Sequence, residues 1–414
     1  MKNSLQSANR PELLAPAGDA ERLEAAVRYG ADAVYLGGQM FNMRAAPENF
    51  SDEMLKKYVD YCHKHGVKVH YISNTLPRNC ELPELPKFFE KAKDAGVDAF
   101  IIADLGVMKY AQKYAPGVDI HISTQAGTVN YATANAFYDL GAKRIIMARE
   151  VSLQEIAQIR ENTPEDLEIE CFVHGAMCMS FSGRCLLSNY FTGRDANRGD
   201  CAQPCRWKYH LMEEKRPGQF FEITNDKSGT YIMNSQDMCM IEHIPELISA
   251  GVSSFKIEGR AKSAYYAAAV TNAYRAAIDG YLKNPSPAYK PEQWILDEMR
   301  KISYRDYCTG FYFGPPAEDA HIYYDGIYIR EWDIIANVMS SDGAYLTVTQ
   351  RNRFFVGDEL EVLTPGRPPF TIKVEEMLNE SGEQIDVAPN PMAVIKIKCP
   401  ERIPEGAVLR KQRD

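Results

Sequence analysis

A repeated unit of amphipathic helix, glycine and short buried strand fills the N-terminal two-thirds of this 414-residue chain. A glycine placed after a helix supplies the left-handed conformation that turns the chain back towards a sheet. Five units pass from helix to strand in this way, at Gly30, Gly66, Gly96, Gly141 and Gly251. The strand segments lack strict polar alternation, which is typical of parallel strands covered on both faces. The repeat therefore predicts a parallel α/β fold.

Eight such units supply the predicted strands. Their segments are Glu12–Gly18, Ala33–Gly38, Lys68–Asn74, Ala99–Asp104, Asp119–Thr124, Arg144–Arg149, Glu168–Gly175 and Ser254–Arg260. Eight alternating units are what a (β/α)8 TIM-like barrel requires. An open doubly wound sheet is the competing fold, but no Gly-x-Gly-x-x-Gly turn follows a strand. We therefore predict a barrel.

The spacing of the strands and a change in composition divide the chain into three parts. The barrel is expected over residues 1–283, with an insertion at about 176–252 that follows strand 7 and includes a hairpin, Trp207–Glu214 with Gln219–Thr224. A Pro-rich stretch opens a linker with a short helical segment over residues 284–327. Residues 328–414 consist of short β-type segments separated by turn residues, which predicts a small C-terminal antiparallel β-barrel.

Composition predicts a cytoplasmic location, because no apolar run is long enough to span a membrane and the N-terminus resembles no secretory signal. The net charge of −9 argues against generic nucleic-acid binding. Residues 182–210 are nevertheless locally basic, and we predict a nucleic-acid contact there, with a solvated loop as the alternative. The basic residues of this segment are Arg184, Arg194, Arg198, Arg206 and Lys208.

Four cysteines of the insertion, Cys178, Cys185, Cys201 and Cys205, have the spacing Cys-x6-Cys-x15-Cys-x3-Cys. In a reducing compartment such a set is expected to bind a metal centre rather than to form disulfides. Thiolates are the ligands of iron–sulfur clusters and of structural zinc. The two tight Cys-x2-Cys knuckles typical of structural zinc are absent, so the spacing favours iron and sulfide.

Polar residues at the carboxyl ends of the predicted strands should face the active site of a barrel. The predicted catalytic residues on strands 7 and 8 are Glu170, His174, Lys256 and Glu258. The predicted substrate-binding residues are Asn42, Arg44, Asn74, Gln125, Arg149 and Arg260. The arginines suit a substrate with carboxylates or phosphates, because guanidinium binds these groups bidentately. There are three alternatives. Lys256, Glu258 and Arg260 could form a purely structural ion network, Asn42 and Asn74 could be turn residues at strand ends, and His174 could be a structural histidine.

One stretch carries a specific family resemblance. It has Glu170, Phe172, Gly-Ala-Met-Cys at residues 175–178 and Ser-Gly-x-Cys-x-x-Ser at residues 182–188. This pattern resembles the signature of the collagenase-like peptidase family, the U-32 group, and so does the opening segment at residues 12–18. With the C-terminal barrel included, the resemblance extends over nearly the whole chain, and its length and architecture are most similar to the branch that modifies tRNA.

That resemblance implies oxygen-independent 5-hydroxylation of the wobble uridine of tRNA. It further implies a 4Fe–4S cluster on the four insertion cysteines and a requirement for prephenate as the source of the hydroxyl. The expected partner is tRNA, and the sequence leaves open whether a paralogous protein of the same family is a second partner. Two alternatives remain from other classes. One is a peptidase, although the chain has neither His-Glu-x-x-His nor Gly-x-Ser-x-Gly. The other is a non-catalytic RNA-binding or assembly protein with a structural metal.

Overall fold

Eight parallel strands form a closed barrel, which confirms the predicted fold. The computed structural model describes residues 10–43, 49–177, 185, 187–194, 201–204, 225–226, 229–230, 236–314 and 328–413. The barrel strands are β1 (Glu12–Pro16), β2 (Ala33–Gly37), β3 (Lys68–Ser73), β4 (Ala99–Ile102), β5 (Asp119–Ile122), β6 (Arg144–Ile146), β7 (Glu168–Ala176) and β8 (Ser254–Ile257). Neighbouring strands pair in chain order, and β8 pairs with both β7 and β1, which closes the ring.

Helices follow the strands and cover the barrel. They are α1 (Ala20–Arg28), α2 (Asp52–Lys64), α3 (Leu85–Ala95), α4 (Leu105–Tyr114), α5 (Tyr131–Asp139), α6 (Leu153–Glu161), α7 (Leu187–Thr192), α8 (Ile244–Ser249), α9 (Ala264–Lys283) and α10 (Gln293–Glu298). Side-chain caps fix several starts: Asp104 caps α4, Ser152 forms a capping box with Glu155 on α6, and Ser263 caps α9. In the described part of the chain, no helix is both long enough and apolar enough to cross a bilayer.

The five glycines of the repeat all have positive φ, from 72° at Gly66 to 100° at Gly30. Left-handed backbone is costly for residues with a Cβ, and glycine adopts it freely. Each glycine follows a helix and precedes a strand, as the sequence predicts. These residues therefore set the turns that return the chain to the barrel.

The insertion between β7 and β8 extends the sheet beyond the barrel. A short strand, Asp237–Cys239, pairs antiparallel with the end of β7, and Tyr307–Cys308 pairs parallel with that short strand. Two further short strands, Asn225–Asp226 and Gly229–Thr230, pair with each other. The hairpin predicted within residues 207–224 lies outside the described residues.

The C-terminal part forms an antiparallel half-barrel of eight strands, which confirms its predicted class. Its strands are β9 (Trp332–Ser341), β10 (Tyr345–Gln350), β11 (Glu359–Leu363), β12 (Phe370–Lys373), β13 (Met377–Leu378), β14 (Gln384–Ile385), β15 (Val394–Lys398) and β16 (Val408–Gln412). Their order in the sheet is β12-β11-β16-β9-β10-β15-β13-β14. A two-stranded pair, Phe354–Phe355 with Val387–Ala388, lies beside it. This unit has its own apolar core, which includes Leu346, Val348 and Leu409.

A buried ion network joins the half-barrel to the barrel. The fully buried Arg410 of β16 donates to the carboxylates of Glu298 on α10 and Glu361 on β11. Its Nη1 also donates to the hydroxyl of Tyr265 on α9 at 2.9 Å. A guanidinium removed from water must be compensated in this way. The interface is therefore specified by charge as well as by apolar packing.

Candidate active site

The interior of the barrel contains a group of titratable side chains where branched apolar residues usually dominate. The odd-numbered strands contribute Glu12, His70, His121 and Glu170, from β1, β3, β5 and β7 respectively. The rings of His70 and His121 meet edge to face with centroids 4.7 Å apart. His70 Nε2 lies 3.9 Å from Glu12 Oε2. The barrel therefore encloses a polar centre rather than a purely apolar one.

Two buried cations neutralise the carboxylates of this group. Arg144 Nη1 of β6 lies 2.5 Å from Glu12 Oε1 and 2.9 Å from Glu170 Oε2. Lys256 Nζ of β8 donates to Glu170 Oε1 at 2.7 Å. The predicted catalytic residues Glu170 and Lys256 are thus brought together as a buried ion pair. Arg144, which sequence analysis did not select, is the second cation on Glu170 and also pairs with Glu12.

Protonation in this group follows from burial and from the two cations. Burial alone would raise the pKa of Glu170, but Lys256 and Arg144 outweigh it and lower that pKa. Burial would likewise raise the pKa of Glu12, which His70 and Arg144 lower to about 2. Burial lowers the pKa of His70 to about 4 and that of His121 well below its ordinary value. At neutral pH the carboxylates are charged and the imidazoles neutral.

Three of these residues have the geometry of a metal-binding set. Ligand atoms of His70, His121 and Glu170 all lie within 4.8 Å of one another, and no other such group occurs among the described residues. Both oxygens of Glu170, however, already accept hydrogen bonds from cations. A metal ion would compete with Lys256 and Arg144 for the lone pairs of Glu170, and the positive charge of both side chains would repel it. We therefore interpret the set as part of the polar core.

Nearer the carboxyl ends of the strands, cations stack on aromatic rings. The Arg149 guanidinium lies 3.9 Å from the centroid of Phe172, and Lys256 Nζ lies 5.4 Å from the same centroid. Lys256 also lies 4.6 Å from the Tyr35 centroid. Arg149 donates to Glu258 Oε2 at 2.7 Å. The predicted residues Arg149, Lys256 and Glu258 therefore lie along one continuous set of contacts.

Arg260 follows β8 and is buried among the loops after β2. Its Nη2 donates to Asn49 Oδ1 at 2.7 Å, and its Nη1 lies 3.4 Å from Asn42 Oδ1. A Cβ at Gly37 would lie 2.8 Å from Arg260 Nη2, so a side chain at this position would displace the guanidinium. The structure thus brings together the predicted substrate-binding residues Asn42 and Arg260.

The remaining predicted substrate-binding residues have different surroundings. Asn74 Oδ1 accepts a hydrogen bond from Met43 N at 3.2 Å and so joins the loops after β3 and β2. Gln125 is half-buried on a short 3-10 turn, Thr124–Ala126, directly after β5. Arg44 lies outside the described residues.

His174 is enclosed by tyrosines rather than by charged groups. Its ring centroid lies 5.6 Å from that of Tyr274, 6.0 Å from that of Tyr266 and 5.5 Å from that of Tyr307. Burial lowers the pKa of His174 to about 3. The pairing of β7 with β8 shifts register just before His174 pairs with Ile257. This irregularity places the imidazole against α9, and its surroundings favour the structural alternative.

The insertion cysteines are described in part. Cys185 and Cys201 are half-buried, and Gln203 N donates a hydrogen bond to Cys201 Sγ at 3.4 Å. Ser188 Oγ of α7 accepts a hydrogen bond from Ala202 N at 2.9 Å, which holds the segment 201–204 against α7. Arg194, of the predicted nucleic-acid contact, is exposed just after α7. The predicted residues outside the described part of the chain are Cys178, Cys205, Arg184, Arg198, Arg206 and Lys208.

Sequence analysis missed the partners that organise the barrel interior. These partners, Glu12, His70 and Arg144, stand at the start or in the middle of their strands, whereas most of the predicted site residues stand near or beyond the carboxyl ends of the strands. A signal was present, since a polar residue recurs within otherwise apolar segments of alternate strands. Inward-facing polar positions on these alternate strands would have selected Glu12 and His70, whereas Arg144 lies on β6, outside that set.

Comparisons with known proteins agree over nearly the full chain. The model of peptidase family U32 matches residues 18–322, and that of the peptidase family U32 C-terminal domain matches residues 330–410. The tRNA hydroxylation protein P1 of Bacillus subtilis is 36% identical over 404 residues, covering 97% of this chain and 95% of the relative. The tRNA hydroxylation protein P of Escherichia coli is 35% identical over 435 residues, with 95% and 94% covered. The collagenase of Porphyromonas gingivalis is 33% identical over 385 residues, with 89% and 90% covered.

Proposed function

Because the chain belongs to the peptidase U32 family, we propose that it is a tRNA-modifying enzyme that hydroxylates the wobble uridine at C5 without molecular oxygen. The observation that carries this proposal is the similarity, over almost the whole of both chains, to proteins named for tRNA hydroxylation. Both the barrel and the half-barrel take part in the match, so the similarity extends over both units. We place the activity in the cytoplasm.

We propose that Cys178, Cys185, Cys201 and Cys205 hold a 4Fe–4S cluster. The donor set suits it, since four thiolates are the usual ligands of such a cluster. Two described contacts support the fit: α7, which begins two residues after Cys185, holds the segment of Cys201, and the amide of Gln203 faces Cys201 Sγ. Hydrogen bonds of this kind to ligand sulfurs tune iron–sulfur centres. When bound, the cluster supplies a one-electron redox centre.

Prephenate carries two carboxylates, and we propose that arginines at the barrel mouth bind them. Arg149 follows β6 and Arg260 follows β8, at the end of the barrel where ligands of this fold bind. Phe172 and Glu258 fix the direction of the Arg149 guanidinium. A fixed guanidinium loses little freedom on binding a carboxylate, which favours affinity. Arg44, which follows β2 in the sequence, is the third candidate.

Nucleoside mass spectrometry of tRNA tests the proposed activity. A strain that lacks this chain and all oxygen-dependent routes to 5-hydroxyuridine should lose that nucleoside, and the wild-type gene should restore it. Cys185→Ser should not restore it, and cells blocked in prephenate synthesis should lose it until prephenate is supplied. Unchanged 5-hydroxyuridine in the deletion strain would remove the proposal. Co-purification with the tagged chain tests the expected paralogous partner.

A peptidase is the second candidate, because a relative of similar length is named a collagenase. Cysteine–histidine chemistry in the barrel finds little support, since burial raises the pKa of the Cys171 thiol and lowers that of His174. Metal-free protein that cleaves gelatin, with a rate unaffected by Cys185→Ser, would favour this activity. If the metal has only a structural role, Cys185→Ser should destabilise the protein. Its melting temperature should then fall, and any loss of 5-hydroxyuridine should follow from that loss of stability.

A further inference from the structure

Helix α7 presents two aromatic side chains to solvent. Tyr190 is 82% exposed and Phe191 is 47% exposed, and their rings meet edge to face with centroids 5.3 Å apart. Single exposed apolar residues are ordinary on protein surfaces. Two adjacent aromatic rings on one short helix form a defined apolar surface, and Tyr190 is the most exposed large hydrophobic residue in the described part of the chain. Such a surface indicates a binding function.

The position of the pair relates it to the cysteines. Helix α7 begins two residues after Cys185, and the buried Ser188 accepts a hydrogen bond from the amide that follows Cys201. Thr192 Oγ1 donates to Ser188 O at 2.7 Å and accepts a hydrogen bond from Arg194 N at 3.2 Å. The aromatic pair is thus fixed between two of the proposed cluster ligands and an exposed arginine.

The chemistry of this surface suits unpaired nucleobases. Bases of single-stranded loops stack on aromatic side chains, while arginine contacts the neighbouring phosphates. A protein partner would also cover apolar rings, but the adjoining arginine and the cysteine set favour a nucleic acid. We propose that Tyr190 and Phe191 form a stacking platform for unpaired RNA bases that flank the modified nucleotide, with Arg194 at the backbone. This inference rests on the proposed function and names the residues that hold its substrate.

Binding of an unmodified anticodon stem–loop RNA to anaerobically purified full-length protein tests the platform by fluorescence anisotropy. Tyr190→Ala and Phe191→Ala should each weaken binding about 5- to 100-fold, since one base–aromatic stack contributes that much. Tyr190→Trp should bind within about threefold of the wild type, because the stacking face is kept. A fully paired RNA should show no difference among the variants, since its bases already stack on one another.

Phe355→Ala is the matched control, because Phe355 is 48% exposed but lies beside the C-terminal half-barrel. It should leave the affinity unchanged, and an equal loss there would contradict a specific platform. Melting temperature and iron content of each variant show whether the insertion is intact. If a variant fails these checks, photo-crosslinking of the wild-type protein provides a second measurement. An anticodon loop carrying 5-iodouridine should photo-crosslink to the peptide that contains α7, and cross-links confined to other peptides would overturn the proposal.

The outcomes separate the platform from the proposed activity. If both alanine variants bind RNA as tightly as the wild type, and the deletion strain loses 5-hydroxyuridine as expected, the platform is rejected and the proposed activity stands. If the alanine variants keep their RNA affinity but no longer co-purify with a protein that the wild type retains, the rings bind a protein partner and the inference is overturned. A wild type that binds no stem–loop RNA, with unchanged 5-hydroxyuridine in the deletion strain, would reject both.

Discussion

At the scale of single residues, the environment of each titratable group determines its role. Glu170 and Lys256 were predictable because both interrupt apolar strands with charge. Arg144, the second cation on Glu170, was not, because the sequence does not reveal that the first residue of β6 meets Glu170 and Glu12 across the barrel. His174 illustrates the same limit, since a register shift between β7 and β8 places it among tyrosines. Local sequence identifies the charged residue, and the closed ring determines its partner.

Replacing His174 should make stability less dependent on pH. Its pKa falls from 6.5 to about 3 on folding because burial disfavours the charged imidazole. The unfolded chain therefore takes up a proton below pH 6.5 that the folded protein does not, and stability falls as pH decreases towards 3. Between pH 7.5 and 5.5 this residue accounts for a loss of about 1.4 kcal/mol. Chemical denaturation of His174→Phe should show a correspondingly smaller decrease.

Two comparisons check this expectation. Phe355→Ala should leave the pH dependence unaltered, because it removes no titratable group. An undiminished pH slope in His174→Phe would mean that His174 takes up its proton in the folded state as readily as in the unfolded chain.

At the scale of elements, the repeat of helix, glycine and strand predicted all eight barrel strands to within a few residues. It succeeded because periodicity, helix caps and glycine all act locally. The prediction extended several strands too far, and Asp104 is the cap of α4 rather than the last residue of β4. The short strand Asp237–Cys239 was missed, because its pairing with β7 depends on a distant partner rather than on its own pattern.

Two glycines with similar backbone conformations should differ in their tolerance of alanine. Gly66 has φ of 72° and open space around it, whereas a Cβ at Gly251, with φ of 87°, would lie 2.4 Å from the side chain of Arg160. Gly66→Ala should cost about 1 kcal/mol from backbone strain alone. Gly251→Ala should cost about 2–3 kcal/mol, because it also displaces an arginine that donates to Leu167 O. Urea denaturation measures the difference, and equal costs would show that Arg160 moves aside freely.

At the scale of the whole molecule, the barrel and the half-barrel are joined through Arg410. Its charge is compensated by Glu361 within the half-barrel and by Glu298 on the helix that follows the barrel, and it also donates to Tyr265 of the barrel, so the half-barrel alone satisfies it only in part. The change in sequence pattern near residue 328 predicted the second unit. The interface was beyond prediction, because its residues lie on α10, β11 and β16, far apart in the chain.

Arg410→Met should weaken the coupling between the two units. Removing the cation leaves the fully buried Glu298 with less compensation, which costs about 3–5 kcal/mol for a buried pair. Differential scanning calorimetry should then resolve two transitions where the wild type shows one. Arg413→Met removes a more exposed pair with Asp333 and should behave like the wild type. A single unshifted transition in Arg410→Met would contradict this role.

The order of the strands also has a consequence for synthesis on the ribosome. Lys256, on the strand that closes the ring, is translated well after Glu170 and after the four cysteines of the insertion. A nascent chain with seven strands therefore leaves Glu170 without one of its two cations and keeps both free edges open to water. The thiols that we propose as cluster ligands are thus made before the strand that closes the ring, and we expect loading of the proposed cluster to compete in time with ring closure.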